Sequence, residues 1–82
     1  MPKVFLHTSA RHGLRRRSET ARTRVVEVLR ELEDDPRPPG CAKLRAGLGW
    51  KIRVGDYRIL YTIDDAAQRV DVWYIGPRDG AY

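Results

Sequence analysis

The strongest constraint on the fold is a stretch of alternating side chains that the dipeptide Gly55-Asp56 divides in two. Apolar and polar residues alternate over residues 50–54, a period of two that is typical of β-strands. The same period continues over residues 57–63, where Tyr57, Ile59, Tyr61 and Ile63 alternate with Arg58, Leu60 and Thr62. Glycine followed by aspartate suits a two-residue hairpin loop with glycine in its first central position. The sequence therefore predicts two adjacent antiparallel strands joined by a tight turn.

A helical pattern precedes these strands. Over residues 19–33 apolar side chains recur at helical spacing along one face: Ala21, Val25, Val28, Leu29 and Leu32. A shorter helix is expected over residues 10–17, with Thr8 or Ser9 as its N-cap, and Ser18 offers a cap for the second helix. Pro36 and the prolines after it end the second helix, because proline lacks a backbone donor. The two predicted helices form an antiparallel hairpin.

Three more strands are expected, over residues 3–7, 43–45 and 69–75. In the last of these, Tyr74 is expected on the same face as Val70 and Val72. Helices and sheet must bury one another, so we predict an α+β fold in which an N-terminal strand and an antiparallel helical hairpin pack on one face of an antiparallel β-sheet. The 82 residues suffice for a single domain, 1–82, and the other face of the sheet is left open.

Composition indicates the kind of partner and the cellular compartment. A formal charge of +5, with 33% charged residues, favours a polyanionic partner. Cys41 is the single cysteine, so we expect a buried thiol with no disulfide and a reducing compartment. No long apolar segment suggests a signal peptide or membrane span, which predicts a cytoplasmic protein. His7 and His12 lack the spacing of a metal site, and we expect neither metal nor cofactor.

Three cations are expected to share one surface. In the hairpin register that Gly55-Asp56 imposes, Arg53 faces Arg58, and Lys51 projects from the same side. Like charges directly opposite each other cost up to about 1 kcal/mol, so their placement indicates an anion site. Two other interpretations remain open: a solvated strand face, or a surface that pairs with acidic side chains of a protein partner.

Further RNA-contacting residues are expected outside the strands. The run Arg15-Arg16-Arg17 with Arg22 is either a solvated helix face or a set of phosphate contacts along a structured RNA. Lys43 and Arg45 are further candidates for RNA binding. Tyr82 ends the chain, and it is either an exposed ring that stacks on a nucleobase or part of a frayed terminus.

These residues together resemble the RelE/ParE superfamily of bacterial type II toxins. The specific part of the resemblance is the segment Trp50-Lys51-Ile52-Arg53-Val54-Gly55-Asp56-Tyr57-Arg58-Ile59-Leu60-Tyr61. Asp35-Pro36, Lys43-Leu44, Ile75-Gly76-Pro77-Arg78 and Tyr82 extend it over nearly the whole chain. The resemblance implies a RelE-like fold and a cytoplasmic toxin, held inactive by a cognate antitoxin that wraps its basic surface.

The resemblance also implies an activity. RelE-type toxins enter the ribosomal A site and cleave the bound messenger RNA, whose own 2′-hydroxyl attacks the adjacent phosphate without a metal. The motif positions then imply a catalytic set: Lys51 for proton transfer, Arg53 as a neighbouring cation, Arg58 on the scissile phosphate, Arg78 near the leaving group and Tyr82 on the substrate. The resemblance therefore implies an endoribonuclease that inhibits translation.

Two departures from the family pattern qualify these roles. Arg53 stands where the best-known member has a second lysine, and a guanidinium does not readily release a proton. Pro77 stands where many relatives have histidine, so the general acid–base group of one branch is missing. The alternatives are a ParE-like toxin, which shares the fold but poisons DNA gyrase, and a non-catalytic RNA-binding module.

Overall fold

In a computed structural model, which describes residues 1–77, two helices pack on one face of a five-stranded sheet. The elements in chain order are β1 (Lys3–Leu6), α1 (Thr8–Arg15), α2 (Glu19–Asp34), β2 (Ala42–Lys43), a 3₁₀ turn (Arg45–Gly47), β3 (Trp50–Val54), β4 (Tyr57–Asp64) and β5 (Arg69–Pro77). This order confirms the predicted α+β fold.

The sheet has the strand order β1-β5-β4-β3-β2. Its four later strands are antiparallel neighbours, whereas β1 lies parallel to β5, with Lys3 opposite Arg69. The sheet is therefore mixed and not wholly antiparallel. The parallel pairing is possible because the helical hairpin and three strands separate β1 from β5 in the chain.

The core lies between the helices and the sheet. The predicted stripe of α2 faces inward, with Val25 and Leu32 fully buried. Against it pack the inward side chains of the three central strands: Ile52, Val54, Ile59, Tyr61, Val70, Val72 and Ile75. Burial raises the pKa of the Tyr61 phenol, which stays neutral and donates a 2.9 Å hydrogen bond to the carbonyl of Pro36. This bond ties the proline connector to β4.

Two element boundaries and the burial of one residue differ from the sequence expectations. Helix α1 begins at Thr8 with His7 as N-cap, and the Ser9 hydroxyl donates to the carbonyl of Trp73 instead of capping the helix. The expected strand at residues 43–45 is Ala42–Lys43, and Leu44 then leads into the 3₁₀ turn. Cys41 is half-buried, not buried. Ser18 caps α2 as predicted, accepting from the Ala21 amide.

No helix within residues 1–77 has both the length and the apolar character needed to span a bilayer.

Candidate functional site

The open face of the sheet carries two neighbouring rows of side chains that run across β3, β4 and β5. One row is Lys51, Leu60 and Tyr74; the next is Arg53, Arg58 and Gly76. The predicted register is confirmed, with Arg53 directly opposite Arg58 across a hairpin whose Gly55 has φ +60°. That backbone angle favours glycine.

This geometry brings three cations close together. Neighbouring strands lie about 4.8 Å apart, and Cα atoms two residues apart on a strand are about 7 Å apart. Arg53 is exposed, while Lys51 and Arg58 are half-buried. Side chains as long as lysine and arginine span these separations easily, so all three can reach one phosphate. A guanidinium can bind two of its oxygens at once.

Gly76 completes the second row, and a tyrosine ring takes the space that a side chain would occupy there. A Cβ atom on Gly76 would lie 2.5 Å from the Tyr74 hydroxyl oxygen. The ring of Tyr74 therefore lies over Gly76, in the row that contains Arg58. Any larger residue at position 76 would displace the phenol from its place beside the cations.

A β-bulge corrects the prediction made for β5. Leu60 pairs with Tyr74, but the next residue of β4, Tyr61, pairs with Val72, so Trp73 is the extra residue of the bulge. As a result Tyr74 shares the open face with Trp73, and Ile75 is in the core with the valines. The predicted alternation, which put Tyr74 beside Val70 and Val72, is wrong.

Trp73 and Tyr74 are site residues that the sequence reasoning missed. Both line a groove of about 600 Å³ on the open face, together with Lys51 and Leu60. A signal was available, because Val72, Trp73, Tyr74 and Ile75 are four consecutive apolar residues in a strand that otherwise alternates. Such a break in the period of two is what a bulge produces.

Two of the predicted RNA-binding residues lie at the same groove. Lys43 and Arg45 line it with Lys51, because β2 pairs with β3 and the 3₁₀ turn begins one residue after β2. The groove thus has an apolar floor, which includes Leu44 and Leu60, and three cations around it.

The helical arginines lie elsewhere. Arg16 and Arg17 line a second cleft, between α1 and the end of β5, and among residues 1–77 this cleft shares only Tyr74 with the groove. Arg22 donates to the carbonyls of Arg17 and Arg15, and so satisfies acceptors at the end of α1. The structure therefore gives Arg22 a helix-capping contact, and it does not bring these arginines to Lys51.

Arg17 has two contacts of its own. Its Nε donates to the carbonyl of Gly13, and its guanidinium lies 5.1 Å from the centre of the Tyr57 ring. Arg15 is exposed at the end of α1. Two other predicted site residues, Arg78 and Tyr82, lie outside the described residues.

His7 also belongs to this face. Its ring stacks on Trp73, with 3.6 Å between ring centres and 16° between planes, and its Nε2 lies 2.9 Å from an oxygen of Asp71. Within residues 1–77 no cluster of three or more histidine, cysteine, aspartate or glutamate side chains could hold a metal ion.

Comparison with known proteins places these features among bacterial and archaeal toxins. The family profile described as "ParE toxin of type II toxin-antitoxin system, parDE" matches residues 3–82. No curated protein sequence matches the chain significantly.

Several solved structures are similar along almost their whole length. A RelBE toxin–antitoxin complex of Mycobacterium tuberculosis is 29% identical with a TM-score of 0.83, covering 94% of this chain and 98% of that one. A RelE mutant from Escherichia coli in the free state is 25% identical, with a TM-score of 0.77 and coverages of 93% and 82%. A RelE–RelB complex of Pyrococcus horikoshii is 23% identical, with a TM-score of 0.85 and 98% coverage of both chains, and shows the shared fold.

Proposed function

The chain belongs to the ParE toxin family of type II toxin–antitoxin systems, within the RelE/ParE superfamily, and we propose that it has the RelE-type activity: a ribosome-dependent endoribonuclease that cleaves messenger RNA in the A site. The observation that carries this proposal is the cluster of Lys51, Arg53 and Arg58 on two adjacent rows of the open face. A set of cations within reach of one phosphate suits a reaction in which negative charge builds up on phosphorus.

In the proposed reaction the nucleophile is the 2′-hydroxyl of the messenger itself, so no metal or cofactor is required. Lys51 accepts the proton of this hydroxyl as its oxygen bonds to the adjacent phosphorus. Arg58 and Arg53 stabilise the extra charge on the phosphate oxygens. The bond to the 5′-oxygen breaks, and the Arg78 guanidinium stabilises the negative charge on this leaving oxygen. The oxygen takes up a proton through solvent as Lys51 releases the one that it accepted, and Tyr82 orients the substrate. The products are a 2′,3′-cyclic phosphate and a free 5′-hydroxyl.

The proposed partners are the ribosome, with its rRNA and messenger, and a cognate antitoxin. Solved relatives from Mycobacterium tuberculosis and Pyrococcus horikoshii are complexes of toxin and antitoxin, which supports the second partner. An antitoxin with acidic and apolar segments would match the basic open face and its apolar floor, and would cover the cations that the reaction needs.

Induced expression without the antitoxin tests the proposal. We expect growth to stop and primer extension to find cuts inside translated messages. Arg58→Ala should lower cleavage by about 100- to 1000-fold, because the phosphate loses a preorganised charge. Arg30→Ala is the matched control: it removes the same charge from an exposed position on α2 and should cleave like the wild type. Intact messages in cells that express the wild-type toxin would contradict the proposal.

A second candidate function is inhibition of DNA gyrase, because the family profile that matches the chain is named for ParE. Purified toxin would then block supercoiling by gyrase in vitro and leave a translation extract active. Double-strand DNA breaks alongside intact messages during induction would favour this candidate. If neither activity appeared, a non-catalytic RNA-binding module would be the remaining interpretation.

A further inference from the structure

Trp73 is an exposed aromatic side chain that is nevertheless held in place. The bulge in β5 directs it onto the open face, where 45% of the residue remains exposed. Its Nε1 donates a 2.9 Å hydrogen bond to the Thr62 hydroxyl, and the ring of His7 covers part of its surface by stacking. The indole is therefore anchored by its polar atom and by a neighbouring ring while part of its surface meets solvent.

Such an arrangement is suited to stacking. An unsupported exposed indole would lose rotational freedom when a ligand ring packs on it, and that loss weakens binding. Here the hydrogen bond to Thr62 and the stack on His7 already restrict the ring. His7 is itself held by its contact with Asp71. A planar partner can pack against Trp73 with little further ordering.

The charge around Trp73 indicates what that planar partner is. The groove that Trp73 lines is bordered by Lys43, Arg45 and Lys51, so a ligand that fills it is expected to be anionic as well as planar. A single-stranded RNA offers both features at every nucleotide, with a phosphate for the cations and a base for the indole. The row of Lys51 is also adjacent to the row of Arg53 and Arg58.

We infer that Trp73 is a base-stacking residue, which holds one nucleobase of the RNA strand in the groove beside Lys51. This inference rests on the proposed function. It adds Trp73 to Tyr82, the one aromatic residue for which the family resemblance implied a contact with the substrate. Stacking of this kind is tolerant of sequence, because every base has an aromatic face.

Fluorescence tests the stacking directly. The chain has two tryptophans, so Trp50→Phe leaves Trp73 as the only one. This variant is titrated with a short single-stranded oligoribonucleotide, and anisotropy of a label on the RNA follows binding independently. We expect the indole emission to be quenched in step with binding. An abasic chain of the same length should bind with little quenching. Binding without quenching, or equal quenching by the abasic chain, would overturn the inference.

Kinetics separates stacking from a merely structural role. In a translation extract, Trp73→Leu should raise KM about tenfold and leave kcat nearly unchanged, while Trp73→Phe, which keeps an aromatic face, should recover most of the loss. Circular dichroism and thermal unfolding establish that both variants are folded. If Trp73→Leu cleaves like the wild type, the stacking inference fails and the proposed function stands.

Two further outcomes are informative. If the wild type does not cleave messages at all, the proposed function fails, whereas the quenching experiment still decides whether Trp73 stacks on RNA. If Trp73→Leu loses affinity for the antitoxin but keeps its affinity for the oligoribonucleotide, the groove is a protein-docking surface and the inference is overturned.

Discussion

At the scale of single residues, Asp71 on β5 contacts two side chains near the β1 edge of the sheet. It accepts hydrogen bonds from the Arg69 guanidinium and lies 2.9 Å from Nε2 of His7, the residue that supports the Trp73 ring. The hydrogen bonds from Arg69, and after them the contact with His7, hold the pKa of the Asp71 carboxyl below its ordinary value. Its charged form is therefore more stable in the folded chain than in the unfolded chain.

This shift predicts a pH dependence of stability. A carboxyl whose pKa is lowered by folding stabilises the protein above its unfolded pKa, and that stabilisation is lost as pH falls through the folded pKa. We expect the free energy of unfolding to fall more steeply in the wild type than in Asp71→Asn as the pH is lowered from about 5 to about 2. Urea unfolding at a series of pH values measures both slopes. Equal slopes would show that Asp71 does not contribute.

At the scale of elements, the contact between α1 and β5 depends on one glycine. A Cβ atom on Gly13 would lie 1.7 Å from the carbonyl oxygen of Ile75, which is backbone and cannot move aside easily. Gly13 is inside a helix, where glycine is ordinarily less favourable than alanine by about 1 kcal/mol. The close approach of helix and strand explains why glycine stands there.

The sign of the effect of Gly13→Ala tests this explanation. Helix propensity alone would make the variant more stable by about 1 kcal/mol. Overpacking against the β5 backbone should outweigh this gain and destabilise the protein by about 1–3 kcal/mol. Chemical denaturation gives the answer, with Thr20→Ala on the exposed side of α2 as a control for helix propensity. A stabilised Gly13→Ala variant would show that α1 packs less closely.

The elements also show how far a sequence can predict this fold. The hairpin of β3 and β4 was predictable residue by residue, because Gly55-Asp56 fixes the register locally. The parallel pairing of β1 with β5 joins distant parts of the chain, and no local pattern encodes it. The bulge at Trp73 reverses the face of Tyr74, and only the pairing of two strands defines it. The sequence therefore predicted that Lys51, Arg53 and Arg58 share one face. It did not predict that Trp73 and Tyr74 line a groove on that face.

At the scale of the whole molecule, charge is distributed unevenly along β4. Arg58 lies near the hairpin end of the strand, and Asp64 lies at the other end. There Asp64 borders a cleft with Asp34, Asp35 and Asp65, and within residues 1–77 these four carboxylates outnumber the one arginine of this cleft, Arg37, which pairs with Asp65. The acidic end of α2, which the helix dipole alone disfavours, is thus part of this acidic pole. A molecule with separate positive and negative poles is oriented by the field of a polyanion before contact.

The salt dependence of RNA binding tests whether positive charge acts through contacts at particular residues of the groove. If Lys43 contacts a phosphate in the groove, Lys43→Ala should reduce the slope of log affinity against log salt by about 0.7, the value for one contact with a single strand. Lys3→Ala removes the same charge from β1 and should leave the slope unchanged. Equal changes in both variants would indicate diffuse attraction by the net charge instead of contacts in the groove.

The pairing of β1 with β5 also determines when this part of the sheet can form during synthesis. His7 and Asp71, which meet beside these strands, are 64 residues apart in the sequence. Strand β1 therefore has no strand partner until β5 has been made, and contacts of such long range slow folding. The stack of His7 on Trp73 also requires that β5 has been made. A nascent chain of this protein thus cannot assemble the aromatic side of its groove until Trp73 itself has been translated.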